Sequence, residues 1–455
     1  MRNTIRFRFW DRRPGGVPRS RWPILIALGV LLEASFILLA RAPGPPGIRL
    51  GVLLAAASTF YLIAAAAVLR AGPGNGAGPV AEPAGTRARV RFIVLAAVVF
   101  RLTLLPLTPT LSHQLWRFHW DGEIQHDGFN PYQYAPSNAL YNPIRQAADA
   151  QVPAVQEAAF QGPLAELLFR WSYDWVSGVR AMKLLFVGCD LLLIWQLVRG
   201  LRARGWPVER VLLYAWSPLA VFEVAGNGHL EPAAALLALL ALYVLERRPR
   251  WAAVAATSAA LTQWYAAVLL PLVLGRAGRR WPSVVAWMVA WPALLTLPYL
   301  FMNQHFALKA IAAAAWAHAR AAGPFNSSLF AVGAAWFGRR GATVVAAAVM
   351  AGVIGVNTVA LARRKAADPL RSGFLILSAL LLVMPQVYPW YVLWLLPLVV
   401  FWPELPWLYF SVAVWLAYVL PRHPGWIWLE YVPLYGLLLW QAWPRRLGTR
   451  QRAAP

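Results

Sequence analysis

Apolar runs punctuated by basic clusters recur along the whole chain, and their lengths set the first prediction. Runs near 22–40, 48–69, 92–107, 181–199, 211–225 and 230–246 read as membrane spans, as do runs near 282–301, 342–362, 372–388, 390–402, 406–420 and 426–443. Many approach the roughly 20 residues that a helix needs to cross a bilayer. The run 251–274 differs, because "ERRPR" precedes it and "GRAGRR" follows it. Cationic flanks at both ends predict a broken or re-entrant pair of half-helices around Thr262–Gln263, a bend that must be shielded by protein. The expected fold is therefore all-α and polytopic, with about twelve transmembrane helices plus one broken segment.

The polar residues gather in a pattern that this layout explains. Twelve crossings with a cytoplasmic N-terminus also leave the C-terminus cytoplasmic. Residues 108–180, "GNGH" (226–229), "MNQHF" (302–306), "GPFNSS" (323–328) and "MPQVYPWY" (384–391) then all emerge on the opposite, extracytoplasmic face. Residues 1–107 read as a tail with three spans, 108–180 as a catalytic loop, and 181–455 as the remaining bundle. Within the loop, "PAVQEAAFQGPLAELLFRWSYDWV" predicts interfacial amphipathic helices anchored by Trp171 and Trp175. Residues 71–90, rich in Gly, Pro and Ala, read as a linker without chemistry.

Composition supports the membrane reading. Of 455 residues 60% are hydrophobic and 13% charged, about half the charge of a soluble chain. The net charge of +24 does not imply nucleic acid, since "MRNTIRFRFWDRRPGGVPRSR", "RGLRARGWPVER" and "ARRKAADPLR" sit at the ends of apolar runs. Such clusters keep loops cytoplasmic. The first apolar run follows a basic head as a signal peptide would, but its length favours an uncleaved helix. The single Cys189 lies inside an apolar run, which excludes an intramolecular disulfide.

The 73-residue loop 108–180 holds seven of the eighteen acids and only four arginines. Asp121 and Glu123 could serve as a general base or hold a divalent cation, or pair within the loop. Arg117, one helical turn before Asp121, could orient it, bind a phosphate, or form a plain ion pair. "SPLAVFEVAGNGHLEP" sets Glu223, Asn227, His229 and Glu231 around a Gly-rich turn. Asp190, inside a span, is expected to pair with Lys183 or another helix. Arg320 and His318 are expected on an outer amphipathic helix. Tyr388 and Trp390 form either an aromatic belt or a wall for sugar or lipid. Walker, dinucleotide and GxSxG motifs are all absent, so an activated substrate would come from the membrane itself.

In their order, "SHQLWRFHWDGEIQHDGFNPYQYAPSN", "SPLAVFEVAGNGHLEP" and "MPQVYPWYVLWLLPL" resemble bacterial multi-span glycosyltransferases of the C superfamily, with "GPFNSSLF" a weaker fourth match. The similarity is to polyprenyl-phosphate-mannose-dependent mannosyltransferases and relatives in glycosyltransferase family 87. The resemblance implies inverting transfer of a hexose, most simply mannose, from a polyprenyl-phosphate donor to an envelope glycan or glycolipid on the outer face of the plasma membrane. It carries Arg117, Asp121, Gly122, Asn130, Pro131 and Tyr132 over from the first motif, Asn227, Gly228 and His229 from the second, and Tyr388, Pro389 and Trp390 from the third. Arg320 and Asn326 complete the expected donor-binding set with Glu123 and Glu231. One departure stands out: relatives carry an acidic pair where this chain has His113 and Gln114. Three readings follow: His113 is the base, Asp121 takes the role, or substrate or activity has changed. A flippase of lipid-linked saccharides is the alternative from another class.

Overall fold

A computed structural model describes residues 21–41, 48–70, 84–109, 111–144, 151–302, 323–363, 367–421 and 423–443. These residues are mostly helical. Among them there is no strand, only an isolated bridge between Phe325 and Gln386. Five stretches are helical, apolar and long enough to cross a membrane: Trp22–Ala40, Arg49–Leu69, Val179–Ala203, Trp264–Phe301 and Leu329–Arg363. The protein is thus an all-α membrane protein. The terminal basic segments, 1–20 and 444–455, and the expected outer helix with His318 and Arg320 lie outside the described residues.

The longer helices are α1 (Trp22–Ala40), α2 (Ile48–Leu69), α3 (Ala84–Leu104), α4 (Gln114–His126), α5 (Pro163–Trp175) and α6 (Val179–Ala203). They continue as α7 (Glu231–Val244), α8 (Pro249–Thr262), α9 (Leu270–Ala277), α10 (Trp281–Phe301), α11 (Leu329–Arg363), α12 (Pro369–Val383), α13 (Leu405–Ala413) and α14 (Ile427–Ala442). Several expected boundaries change. The linker reading of 71–90 fails at its end, because α3 already begins at Ala84 and carries Arg87, Arg89 and Arg91. The expected span 211–225 is a chain of short α, 3-10 and π turns running from Val208 to Gly226. Pro218 lacks the N–H that would continue one helix through it. The expected helix 372–388 stops at Val383, and 390–402 begins as a 3-10 turn, Pro389–Trp394.

The broken segment is where the flanking charges put it. Helix α8 ends at Thr262, and Gln263 is extended at φ −143° and ψ 121°. The chain then turns back through Trp264–Leu269 into α9. Both flanks return to one end of the bundle, where Arg276 Nη2 meets Glu246 Oε1 at 3.0 Å and Arg250 Nε donates to Ser283 Oγ. Fourteen residues at 1.5 Å each raise the tip by about 21 Å. Helix α11 bends at Gly338, whose φ of 68° suits glycine. It exposes Val332, Trp336, Phe337, Val344 and Val356, a surface suited to lipid.

One ionic link crosses the middle of the bundle. Arg101 of α3 pairs with Asp190 of α6, and both side chains are fully buried. Arg101 Nη1 also donates to the carbonyls of Ala97 and Ala215, and Tyr214 Oη donates to Asp190 Oδ1. Asp190 therefore pairs with another helix, and Lys183 is not its partner. The reason is register: α3 and α6 run antiparallel, which sets Arg101 level with Asp190 and the end of α3 level with Lys183.

Candidate active site

The site builds at the end of the bundle where α3 finishes. The backbone N–H of Leu111 donates to Asn227 Oδ1 at 3.5 Å. Gly228, at φ +76°, lies so close to Leu115 that a Cβ there would stand 2.8 Å from its methyl, and 3.1 Å from Lys183 Cγ. The loop also docks on the broken segment. Trp264 Nε1 donates to Phe160 O at 2.6 Å, and a Cβ on Gly162 would stand 2.1 Å from Leu261 O. Asn130 Nδ2 donates to Tyr299 O at 3.0 Å and to Met302 O at 3.3 Å, tying the loop to the end of α10. Loop, "GNGH" turn, break and "QVYPW" segment are thus neighbours at one end of the bundle, as the polar pattern anticipated; of "MNQHF" only Met302 is described.

Two buried polar clusters sit there. The first belongs to the loop. Arg117 Nε donates to both Asp121 oxygens at 2.9 Å, and Arg117 Nη1 donates to Ala154 O at 3.1 Å. Asp121 is 1% exposed. Burial pushes its carboxyl up to about 6 against the pull of Arg117. Glu166 of α5, also buried, is raised well above the usual carboxylate range by burial and by Asp121. Its Oε2 accepts from Gln125 Nε2 at 3.0 Å while Oε1 has no partner, the pattern of a protonated acid. Tyr132 Oη donates to Gln161 O, and Asn130 Oδ1 accepts from the Tyr132 backbone. Glu123 is buried, with Tyr173 Oη donating to its Oε1 at 3.3 Å and His119 Nδ1 lying 4.0 Å from its Oε2. Asp121, Asn130 and Tyr132 therefore spend their side-chain polar atoms on holding the loop shut, as does Arg117 except for its buried Nη2, which has no partner.

The second cluster surrounds the turn. His229 Nε2 lies 3.3 Å from Glu223 Oε2, and Nδ1 lies 3.7 Å from Glu231 Oε2. Asn227 Nδ2 donates to Glu223 Oε2 at 2.9 Å, Tyr418 Oη to Glu223 Oε1 at 2.7 Å, and Gln263 Nε2 to Glu231 Oε1 at 3.4 Å. The imidazole stacks on Trp390 at 4.1 Å, Trp390 on Tyr388 at 4.7 Å, and Tyr388 on Phe325 at 4.7 Å. These rings spend their faces on one another, so the stack is a rigid post rather than an open sugar platform. Asn326 Nδ2 donates to Val387 O and Glu430 Oε2, which clamps this post to α14.

The two clusters remain distinct. Leu111 and Leu115 touch the turn, and His113 lies between them at the head of α4, exposed. Asp121 lies eight residues beyond His113 along the helix, about 12 Å away by its rise, and faces α5. No group of three or more metal-ligating side chains converges among the described residues. In the His229 cluster the two carboxylates face opposite ring nitrogens, so they cannot share one ion with it.

Of the two partners expected for Asp190, another helix supplies the one observed, and Lys183 points elsewhere. It is 1% exposed, and its ammonium donates to Leu107 O at 2.6 Å and Leu104 O at 3.4 Å, beside the Gly228 turn. An apolar sequence context gave no hint that its charge points to the end of α3. Gln263 and Trp264 were legible only as the point of the break.

A family model described as Alpha-(1->6)-mannopyranosyltransferase, N-terminal domain, matches residues 29–279, more than half of the chain. The match includes the loop, the 227–229 turn and the broken segment, and stops short of Asn326, Tyr388 and Trp390. Comparison with curated proteins finds no match.

Proposed function

The chain belongs to the alpha-(1->6)-mannopyranosyltransferase family, and from that premise we propose that it moves a mannosyl unit from a polyprenyl-phosphate donor to a glycan or glycolipid acceptor on the extracytoplasmic face of the plasma membrane. The carrying observation is the exposed His113 at the head of α4, held against the Asn227–Gly228 turn by its neighbours Leu111 and Leu115. It is the accessible titratable side chain beside a turn whose own acids and imidazole are buried.

In the proposed reaction an acceptor hydroxyl attacks the anomeric carbon while the bond from that carbon to the phosphate oxygen breaks. His113 takes the hydroxyl proton as the general base. The electron pair of the broken bond leaves on the lipid phosphate. Lys183 of α6, whose ammonium reaches the end of α3, supplies positive charge for that phosphate. Glu223, Asn227, His229 and Glu231 form the floor. Asp121, locked to Arg117, is a weaker candidate on geometry, because a base must first reach the proton it takes. The gathering of polar groups at one end also favours transfer over transport, which needs them near the midplane.

Purified protein in vesicles containing labelled polyprenyl-phosphate mannose should release lipid phosphate only when an acceptor is supplied. His113→Ala should lower turnover about a hundredfold or more, the usual contribution of a general base, and Asp121→Asn less than about tenfold. The reverse order would return the base to Asp121. Movement of intact donor across the bilayer with no phosphate release would replace the transferase reading with the carrier.

A further inference from the structure

The face of the bundle formed by α3 and α6 carries a groove unrelated to the site above. It encloses about 870 Å3 and is walled by apolar side chains that include Val94, Leu95 and Trp195, with Arg87, Arg91 and Arg202 at one end. Leu95 and Trp195 are 65% and 55% exposed. The three arginines come together because α3 starts, and α6 finishes, at the same end of the bundle. The opposite end of the same pair holds Lys183 and the loop. Arg89, between Arg87 and Arg91 in sequence, points elsewhere and pairs with Glu209 at 3.0 Å, so the groove's basic end comes from the two neighbours that flank it on the helix face.

An apolar channel at bilayer depth, closed at the membrane surface by guanidinium groups, has the shape and charge of a bound anionic lipid. Aliphatic chains have no reason to prefer it over bulk bilayer, but a phosphate headgroup does. Basic pockets between transmembrane helices recognise headgroups in this way, and arginine binds phosphate oxygens in pairs. We infer that the α3–α6 groove is a binding site for an anionic glycerophospholipid, its phosphate held by Arg87, Arg91 and Arg202 and one acyl chain lying along Val94, Leu95 and Trp195. The site lies at the far end of the helix pair from the candidate active site, and so binds a structural or regulatory lipid rather than the sugar donor. It does not depend on the proposed reaction or on the orientation of the protein.

The full chain in phosphatidylcholine nanodiscs, doped with a phosphatidylglycerol that carries a photoactivatable acyl chain, provides the test. Labelling mapped by mass spectrometry should fall on residues 94–98 or 191–198. Unlabelled phosphatidylglycerol should compete at least about tenfold better than phosphatidylcholine, and inorganic phosphate should not compete. Arg91→Gln, at an exposed position, should lower labelling about fivefold, the contribution of one arginine near a membrane surface. Leu95→Trp fills the channel without touching the charges and should lower it independently. Equal competition by phosphatidylcholine, competition by phosphate alone, or labelling unaffected by either variant would overturn the assignment.

Discussion

The pair between Arg101 and Asp190 offers the sharpest test of the packing. Both side chains are fully buried, and the pair links the last turn of α3 to the middle of α6. Asp190→Asn removes the charge that faces Arg101 while keeping its shape. The guanidinium then retains only the carbonyls of Ala97 and Ala215, and Arg101 Nη2 already has no partner. Stranding a buried charge in this way costs about 3–5 kcal/mol, or roughly two to four orders of magnitude in the folded population. Tyr214→Phe removes one hydrogen bond to the carboxylate and should cost about 1.5–3 kcal/mol. The double variant Arg101→Met with Asp190→Leu removes both charges at similar volume and should recover most of the loss, because desolvation of the pair offsets its attraction. Unfolding free energies from detergent titration of the purified protein measure all three variants against the parent chain. Turnover per folded molecule should be unchanged, since neither side chain bonds to a residue of the candidate site. A cost below about 1 kcal/mol for Asp190→Asn, or a double variant worse than either single change, would refute the argument.

Other predictions follow from the loop. The Asp121 carboxyl is raised from an unfolded value near 3.9 to about 6, so its contribution to stability is present below the unfolded value and lost as pH rises through about 6. Amide exchange in 114–126, corrected for its intrinsic rate, should therefore show a loop opening free energy that falls by about 3 kcal/mol between pH 4 and 7, and Asp121→Asn should flatten that slope. Glu166→Gln should change loop exchange less than about threefold at pH 7, because burial disfavours the charged form of that acid; a larger effect means it is ionised. Gly162→Val would drive a side chain into the backbone at Leu261, so limited proteolysis should cut the 151–162 segment at least tenfold faster. Unchanged cleavage would mean that the loop does not rest on the break.

How much of this was legible in sequence depends on the kind of signal each element carried. The broken segment was readable because its flanking charges fix where both ends must lie, and a chain of that length between them has to turn. The series of short turns from Val208 to Gly226 was not, since an apolar run looks alike whether it is one helix or several. Length and hydropathy report burial, while the breaks come from Pro218 and from local packing. Lys183 shows a similar limit. Its spacing from Asp190 is compatible with a pair along one helix, but Arg101 on α3 meets that acid at the same depth, and only the fold reveals it. The amphipathic reading of the loop was accurate for Pro163–Trp175, with Trp171 and Trp175 exposed and packed on each other at 5.1 Å. It failed for residues 151–162, which fold as irregular chain against the break.

The first motif was informative in a different way from the one its chemistry suggested. The positions that make it recognisable, Arg117, Asp121, Gly122, Asn130 and Tyr132, are those that close the loop on itself and on α10. The carboxylate of Asp121, the amide of Asn130 and the hydroxyl of Tyr132 each engage a partner that a substrate would have to displace, Gly122 lets the backbone at Phe169 approach, and only Arg117 keeps a nitrogen, Nη2, without a partner. A loop built this way keeps its shape when residues outside the lock change, which is why His113 and Gln114 can replace an acidic pair without disturbing the motif around them. The head of α4 is held against the Asn227–Gly228 turn by Leu111 and Leu115, whatever stands between them. Scaffold and reacting group are therefore separable here. A chain can retain every feature that identifies the loop while the residue that would remove the acceptor proton changes from carboxylate to imidazole. The competing carboxylate in this chain is Asp121, itself raised by burial to about 6, so substitution rather than pH distinguishes the two cases: turnover that survives Asp121→Asn and is lost in His113→Ala identifies the imidazole as the base.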